Sequence, residues 1–240
     1  MACFAFEYVH NWVTGLSQSV GLASLSFSKP TLSDVERAEA HGNRLGFNHR
    51  WVKATQSAPP LPASAFPGHK AGFNFPLPRW QVDHKRKQVG KGRVAYDRAV
   101  RAICAWKHMD LGWSTVHADP PVKGGLVCVL PHLVFAWMKL PLKVAYVDNG
   151  SHSMGGKSGW TGQQLKYAHS TLHGHALAGE ERFAVEWHKE DDSVWYDIYT
   201  VSRPATPLAA ISYPVIRLLQ KQFQKDSFKV VTAAAAASAD

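Results

Sequence analysis

The strongest constraint on the fold lies near the C-terminus. Between residues 214 and 232 apolar side chains return at helical spacing. Val215, Ile216, Leu219, Phe223 and Val230 fall on one face, and Arg217, Lys221, Lys225 and Lys229 spread over the opposite one. At ~1.5 Å per residue such a helix is roughly 28 Å long, enough to cross a whole sheet. Thr206 and Pro207 form an N-cap and first-turn pair just upstream. Pro214 kinks or restarts the helix, and residues 233–237 of the Ala-rich tail at 233–240 extend it by propensity.

The chain ahead of this helix reads as strands. Segments 122–130 and 140–148 are apolar and β-branched, and the Gly/Ser-rich stretch 149–159 reads as a loop. Residues 164–173 alternate, and 181–188 alternate more sharply, with Phe183, Val185 and Trp187 on one face and Arg182, Glu186 and His188 on the other. Lys189 to Asp192 make a polar turn, and 194–201 is the next strand. Upstream, 94–108 is helical, with Ala99, Ile103 and Trp106 on one face. A short helix starts near residue 33, with Thr31 or Ser33 as its N-cap. The Pro-rich arm 57–78 has little regular structure, but Phe66, Phe73, Phe75 and Trp80 would pin it to the body. The expected fold is α+β: one domain over 24–232, an antiparallel sheet wrapped on the long C-terminal helix, preceded by an extension at 1–23.

That order resembles the helix-grip architecture of START-like, birch-pollen-allergen-like domains. More closely, the chain resembles the plant and bacterial family known as the domain of unknown function nineteen-ninety. The matching residues run in order: Val82-Asp83-His84 before Gly90-Lys91-Gly92, then Tyr96-Asp97-Arg98-Ala99, Trp106 and Leu111-Gly112-Trp113. Thr171-Leu172, Gly174-His175, Gly179-Glu180-Glu181-Arg182-Phe183 and Val194-Trp195-Tyr196-Asp197-Ile198 follow, then Ser202-Arg203-Pro204, Tyr213-Pro214, Arg217, Gln220, Phe223 and Ser227. The resemblance implies a helix-grip fold and no established activity.

Composition narrows the setting. Three cysteines, Cys3, Cys104 and Cys128, make no paired framework and point to a reducing compartment. Residues 1–23 contain no Lys or Arg, which suits neither a secretory nor a mitochondrial leader but is compatible with a plastid one. The expected location is cytoplasm or plastid, not the exterior. The net charge is +9, with its excess in Lys85, Arg86, Lys87, Lys91, Arg93, Arg98 and Arg101. This 85–101 region would suit an acidic protein partner or an anionic membrane surface. No nucleic-acid motif accompanies it, so nucleic acid is not expected as a partner.

Strand parity locates the candidate site. Glu181 shares its face with Phe183, Val185 and Trp187, so it should point inward and Glu180 to solvent. Tyr167, His169 and Thr171 share a face on the preceding strand, and a turn after His173 would bring His175 near Glu181. A carboxylate at the edge of an apolar cavity has a raised pKa unless paired; a structural carboxylate tied to amides or to Arg182 or Arg203 fits the same pattern. Either Tyr196 or Asp197 faces inward, with Tyr196 as a packed aromatic or a cavity hydroxyl. His169, His173 and His175 with Glu181 mimic a metal set, but Gly174 breaks the strand geometry, and neither metal nor cofactor is expected. Gly90-Lys91-Gly92-Arg93 reads as an anion site or as a strand-to-helix turn. No G-x-S-x-G elbow occurs.

The leading expectation is a cavity for an apolar small molecule such as a lipid, isoprenoid or pigment, lined by Tyr167, His169, His175, Glu181, Phe183, Tyr196, Leu219 and Phe223. The alternatives are a cyclase- or lyase-type enzyme with Glu181 and His175 as acid and base, and a structural subunit of a larger, organellar assembly.

Overall fold

A computed structural model describes residues 25–57, 60–66, 79–133, 136–153 and 160–237. Its strands are β1 (Leu25–Ser26), β2 (Gln81–Lys91), β3 (Ser114–Ala118), β4 (Leu126–Leu133), β5 (Ala136–Met138), β6 (Leu140–Ser153), β7 (Thr161–Thr171), β8 (Leu177–His188) and β9 (Ser193–Pro204). Its helices are α1 (Leu32–Leu45), α2 (Gly92–Cys104), α3 (Pro207–Ile211) and α4 (Tyr213–Ala236). The strands form one antiparallel sheet in the order β1-β5-β4-β6-β7-β8-β9-β2, with β3 paired to β4 beside that path. Helices α2 and α4 pack together on its inner face, giving the helix-grip arrangement. No helix of the described residues is long and apolar enough to cross a membrane.

The core sits where α2 and the C-terminal half of α4 meet the sheet. Inward-facing Tyr167, Phe183, Tyr196 and Ile198 are fully buried, together with Ile103 of α2 and Val231 of α4. The Tyr196 hydroxyl lies 2.8 Å from Oγ of Ser227 on α4, and Phe228 meets the Tyr196 ring edge-on at 5.1 Å. Both polar groups are thus satisfied inside the core, as burial requires.

The inner face of α4 differs from expectation. Gln224, Ser227, Phe228, Val231 and Ala235 are its buried residues. Ile216, Leu219 and Phe223 are only half-buried, and Val215 is 59% exposed. The first half of the helix is therefore less closely packed than the second, with Phe223 the residue that reaches the core. Val215 falls on the outer side with Leu218.

Several boundaries also differ. Strand β2 was not expected, because its charged sequence hides it. It is an edge strand paired only with β9 among the described residues, and charged side chains suit such an edge. At its end Gly92 has φ 83 and donates its N–H to the carbonyl of Asp192 at 2.8 Å, so Gly90 to Arg93 make a strand-to-helix turn. Strand β3 was likewise unforeseen. Strand β6 runs on to Ser153, through part of the expected loop; residues 154–159 lie outside the described residues. Helix α1 is capped by Thr31, with Asp34 closing the capping box. In the Pro-rich arm, Phe66 is buried against Trp51 and Trp80. Phe73 and Phe75, like residues 1–23 with Cys3, lie outside the described residues. The basic region is partly self-paired: Arg86 bonds Glu186 at 2.6 Å and lies over Trp195, and Arg93 bonds Asp97.

Glu180 corrects a parity argument. It does point to the outer face, yet that face is not solvent there. Glu180 is 2% exposed beneath segment 51–57. Its carboxylate accepts from the Lys53 N–H at 2.6 Å, the Thr55 N–H at 2.9 Å, the Thr55 hydroxyl at 2.7 Å and the Ser170 hydroxyl at 2.5 Å. Beside it Arg182 donates to the carbonyls of Thr55 and Ser57 and pairs with Asp197 at 2.8 Å. A segment with no periodicity of its own is thus fastened to the sheet by charge-assisted hydrogen bonds. Replacing Glu180 by Ala should cost about 3 kcal/mol, because buried donors lose their acceptor. Denaturant unfolding with hydrogen exchange across 51–57 checks this; an unchanged stability would show that the carboxylate is not the anchor.

Candidate functional site

Under the loosely packed half of α4 lies a cavity of about 190 Å³. Strands β4 to β6 supply an apolar wall that includes Val129, Leu133, Met138, Leu140 and Leu142. Met109 and Trp113, from the segment after α2, close one side, and Ile216, Leu219 and Phe223 form the roof. Polar groups gather on β7, β8 and β9 and on the β7–β8 turn.

Strand register explains that gathering. His169 on β7 pairs with Glu181 on β8, and Glu181 pairs with Thr200 on β9. Directly opposed residues of an antiparallel sheet share a face. Imidazole, carboxylate and hydroxyl therefore stand in one row on the inner face, and all three line the cavity. The Thr200 hydroxyl donates to Oε1 of Glu181 at 2.8 Å, and Oε2 lies 3.5 Å from Nε2 of His169. His169 is held between Trp106, stacked at 6.3 Å, and Phe183, edge-on at 5.5 Å. Its Nδ1 is buried with no hydrogen-bond partner.

His175 reaches the cavity from the turn rather than from the row. Its Nδ1 lies 2.9 Å from the Leu177 nitrogen and 3.0 Å from the Leu177 carbonyl oxygen. Burial pulls its pKa down to about 3, opposed by the hydrogen bond to the Leu177 backbone. The ring is neutral near pH 7. The imidazole paired across from Glu181 is thus His169, where His175 had been expected. His173 is exposed. Among the described residues no group of three His, Cys, Asp or Glu is placed to hold a metal.

Three expected wall residues are elsewhere. Tyr167, Phe183 and Tyr196 point inward but are sealed in the core beside the cavity and do not line it. The Tyr167 hydroxyl donates to the Ile103 carbonyl at 3.0 Å and lies 3.1 Å from Nε2 of the fully buried His108. Their parity was legible, but not the helix turns that cover them. His169, His175, Glu181, Leu219 and Phe223 do meet at the cavity. Thr200, Ser202, Gln220, Met109 and Trp113 join them without having been expected. Thr200 has the inward parity of Tyr196 and Ile198, so the signal was present once β8–β9 register is known. Asp197, next to Tyr196, faces outward. Burial pushes its pKa up, but the hydrogen bond with His84 and the charge of Arg182 outweigh that and hold it below the usual value.

The row can do two things chemically: hold the polar end of an apolar molecule, or pass a proton between carboxylate and imidazole.

Residues 67–230 match the family described as Domain of unknown function (DUF1990). The chain belongs to this family. Relatives include a UPF0548 protein of Arabidopsis thaliana, 37% identical over 151 residues, covering 62% of this chain and 71% of that protein. A UPF0548 protein of Dictyostelium discoideum is 31% identical over 156 residues, covering 62% and 69%. Among solved structures, truncated norcoclaurine synthase from Thalictrum flavum is similar at a TM-score of 0.43 and 10% identity, over 70% of this chain and 100% of that one. Ara h 8.0201 is similar at a TM-score of 0.40 and 9% identity, over 64% and 99%. The fold of this DUF1990 domain is read from its own sheet order and helix packing.

The buried imidazoles make stability depend on pH. Burial lowers His175 from 6.5 to about 3 and His49 from 6.5 to about 4. Below about pH 6.5 the unfolded chain binds these protons and the folded chain does not, so acid favours unfolding. The stabilisation is complete above about 6.5 and is lost as pH falls towards the folded values. Each unit of pH in that window costs about 1.4 kcal/mol per histidine. From pH 6.5 to 4.5 the wild type should lose about 2 kcal/mol more than a His175→Gln variant. Denaturant unfolding at the two pH values measures the difference; parallel losses would show that His175 titrates normally.

Proposed function

We propose that this domain is a binding module for a compact apolar molecule, held between the sheet and the first half of α4. The cavity carries the reading. Its walls are apolar, its roof is the half-buried Ile216, Leu219 and Phe223, and a few convergent polar groups lie along one side. That combination is typical of small-molecule sites.

The volume of about 190 Å³ narrows the ligand class. A dry cavity of ~150 Å³ holds a benzene ring, whereas drug-sized ligands use roughly 300–1,000 Å³. A single ring with a short alkyl group, or one or two isoprene units, suits the space. A large pigment or an entire long-chain lipid would extend beyond it.

Native mass spectrometry of gently purified protein should show a bound small molecule, or displacement of a fluorescent apolar probe should reveal a site. Leu219→Trp should fill the cavity, abolish probe binding and leave the melting temperature equal or higher. A protein that purifies empty and takes up no apolar probe would overturn the reading.

A further inference from the structure

Strand β2 lies away from the cavity and forms one end of the sheet. Over residues 81–88 it keeps an unbroken register with β9, and it pairs with no other strand among the described residues. In an edge strand every second residue turns its N–H and C=O away from the sheet. The two faces of β2 differ in how their charge is used. On the outer face the cations are paired within the chain, His84 with Asp197 and Arg86 with Glu186.

On the inner face they are not. Helix α4 runs beside β2 in the same direction. Asp83 is held by two nitrogens of Arg217, at 2.5 and 2.7 Å, and further along a Cβ at Gly90 would stand 3.6 Å from that of Ala235. Lys85 and Lys87 have the strand parity of Asp83. Lys221 and Lys225 follow Arg217 at four-residue spacing, along the side of α4 that Arg217 turns to β2. All four lysines are exposed, and none is in an ion pair among the described residues. The acids on these two elements are engaged elsewhere, Asp83 by Arg217 and Asp226 by Trp113 and Gln222.

We propose that β2 docks an acidic segment of another protein as an added strand, with carboxylates at alternate positions set against the lysines of β2 and α4. Main-chain hydrogen bonds along the free edge supply the affinity, and the lysines select the sign of the partner. A second copy of β2 is disfavoured as occupant. In an antiparallel pairing centred on Arg86, Lys85 would face Lys87, and like charges directly opposite repel. An anionic lipid surface matches the charge but offers no row of alternating donors and acceptors, so it leaves the edge unused.

Three capped peptides of equal length separate these cases with the full chain. One alternates threonine and glutamate. The second has glutamine in place of glutamate and so lacks the charge. The third is the first peptide methylated at every backbone nitrogen, which keeps the charge and removes the amide donors. By fluorescence anisotropy at low salt, the first should bind at least about tenfold more tightly than either of the others. It should weaken as salt is added and slow hydrogen exchange at β2 amides. Lys85→Glu combined with Lys87→Glu should remove its advantage over the glutamine peptide. Both side chains are exposed, so the melting temperature should hold. Equal binding of the methylated and unmethylated peptides would overturn strand addition, and so would equal binding of the glutamate and glutamine peptides. Preference for phosphatidylserine vesicles or for an oligothymidylate over the acidic peptide would give the face to that occupant and overturn the proposal, as would a dimer that the double variant abolishes.

Discussion

How far α4 stands from the sheet is decided at its C-terminal half. There the Tyr196 hydroxyl meets Ser227, Phe228 covers the Tyr196 ring, and Val231 and Ala235 pack among the core residues of α2 and the sheet. A buried hydroxyl pair has a strict distance requirement, because either group left alone would bear its full desolvation cost. The N-terminal half is held differently, by polar pairs of Arg217 with Asp83 and Gln220 with Ser202, and the space beneath Ile216, Leu219 and Phe223 lies there.

A second dependence is the register of β7, β8 and β9. Because side chains alternate with period two, slipping one strand by a single residue would turn its whole inward set outward. In the observed register Tyr167 opposes Phe183, and Val185 opposes Tyr196, in the core, and the same alignment carries His169, Glu181 and Thr200 into one row. The packing of large aromatic residues thus fixes the positions of three small polar groups. The outer face is bound by the same rule: Ser170, Glu180, Arg182 and Asp197 meet there because their inward neighbours are committed.

Much of this was legible in the residues, and the gaps have physical causes. Strand alternation placed Phe183, Val185 and Glu181 inward, helical spacing found α2 and α4, and capping chemistry found Thr206 and narrowed the other cap to Thr31 or Ser33. Parity, however, reports direction and not what lies in that direction. Glu180 points away from the core, yet segment 51–57 covers it, and a covering loop has no period to read. Tyr167 and Tyr196 point inward, but whether they meet a helix or a cavity depends on the seating of α4. Edge strand β2 was hidden because its side chains answer to solvent and to the risk of edge pairing more than to a core. The pairing of Glu181 with His169 in place of His175 came down to register, which one strand alone cannot specify.

The uneven seating of α4 also has a dynamic meaning. Local opening is cheapest where few apolar contacts would be broken. On this helix that place is the N-terminal turns, where Val215 and Leu218 are exposed and the residues beneath them are half-buried. The chain restarts there at Pro214, so the first turn carries fewer backbone hydrogen bonds to lose. What holds these turns is mainly polar, the pairing of Arg217 with Asp83, whereas the far half of the helix is held by apolar packing in the core.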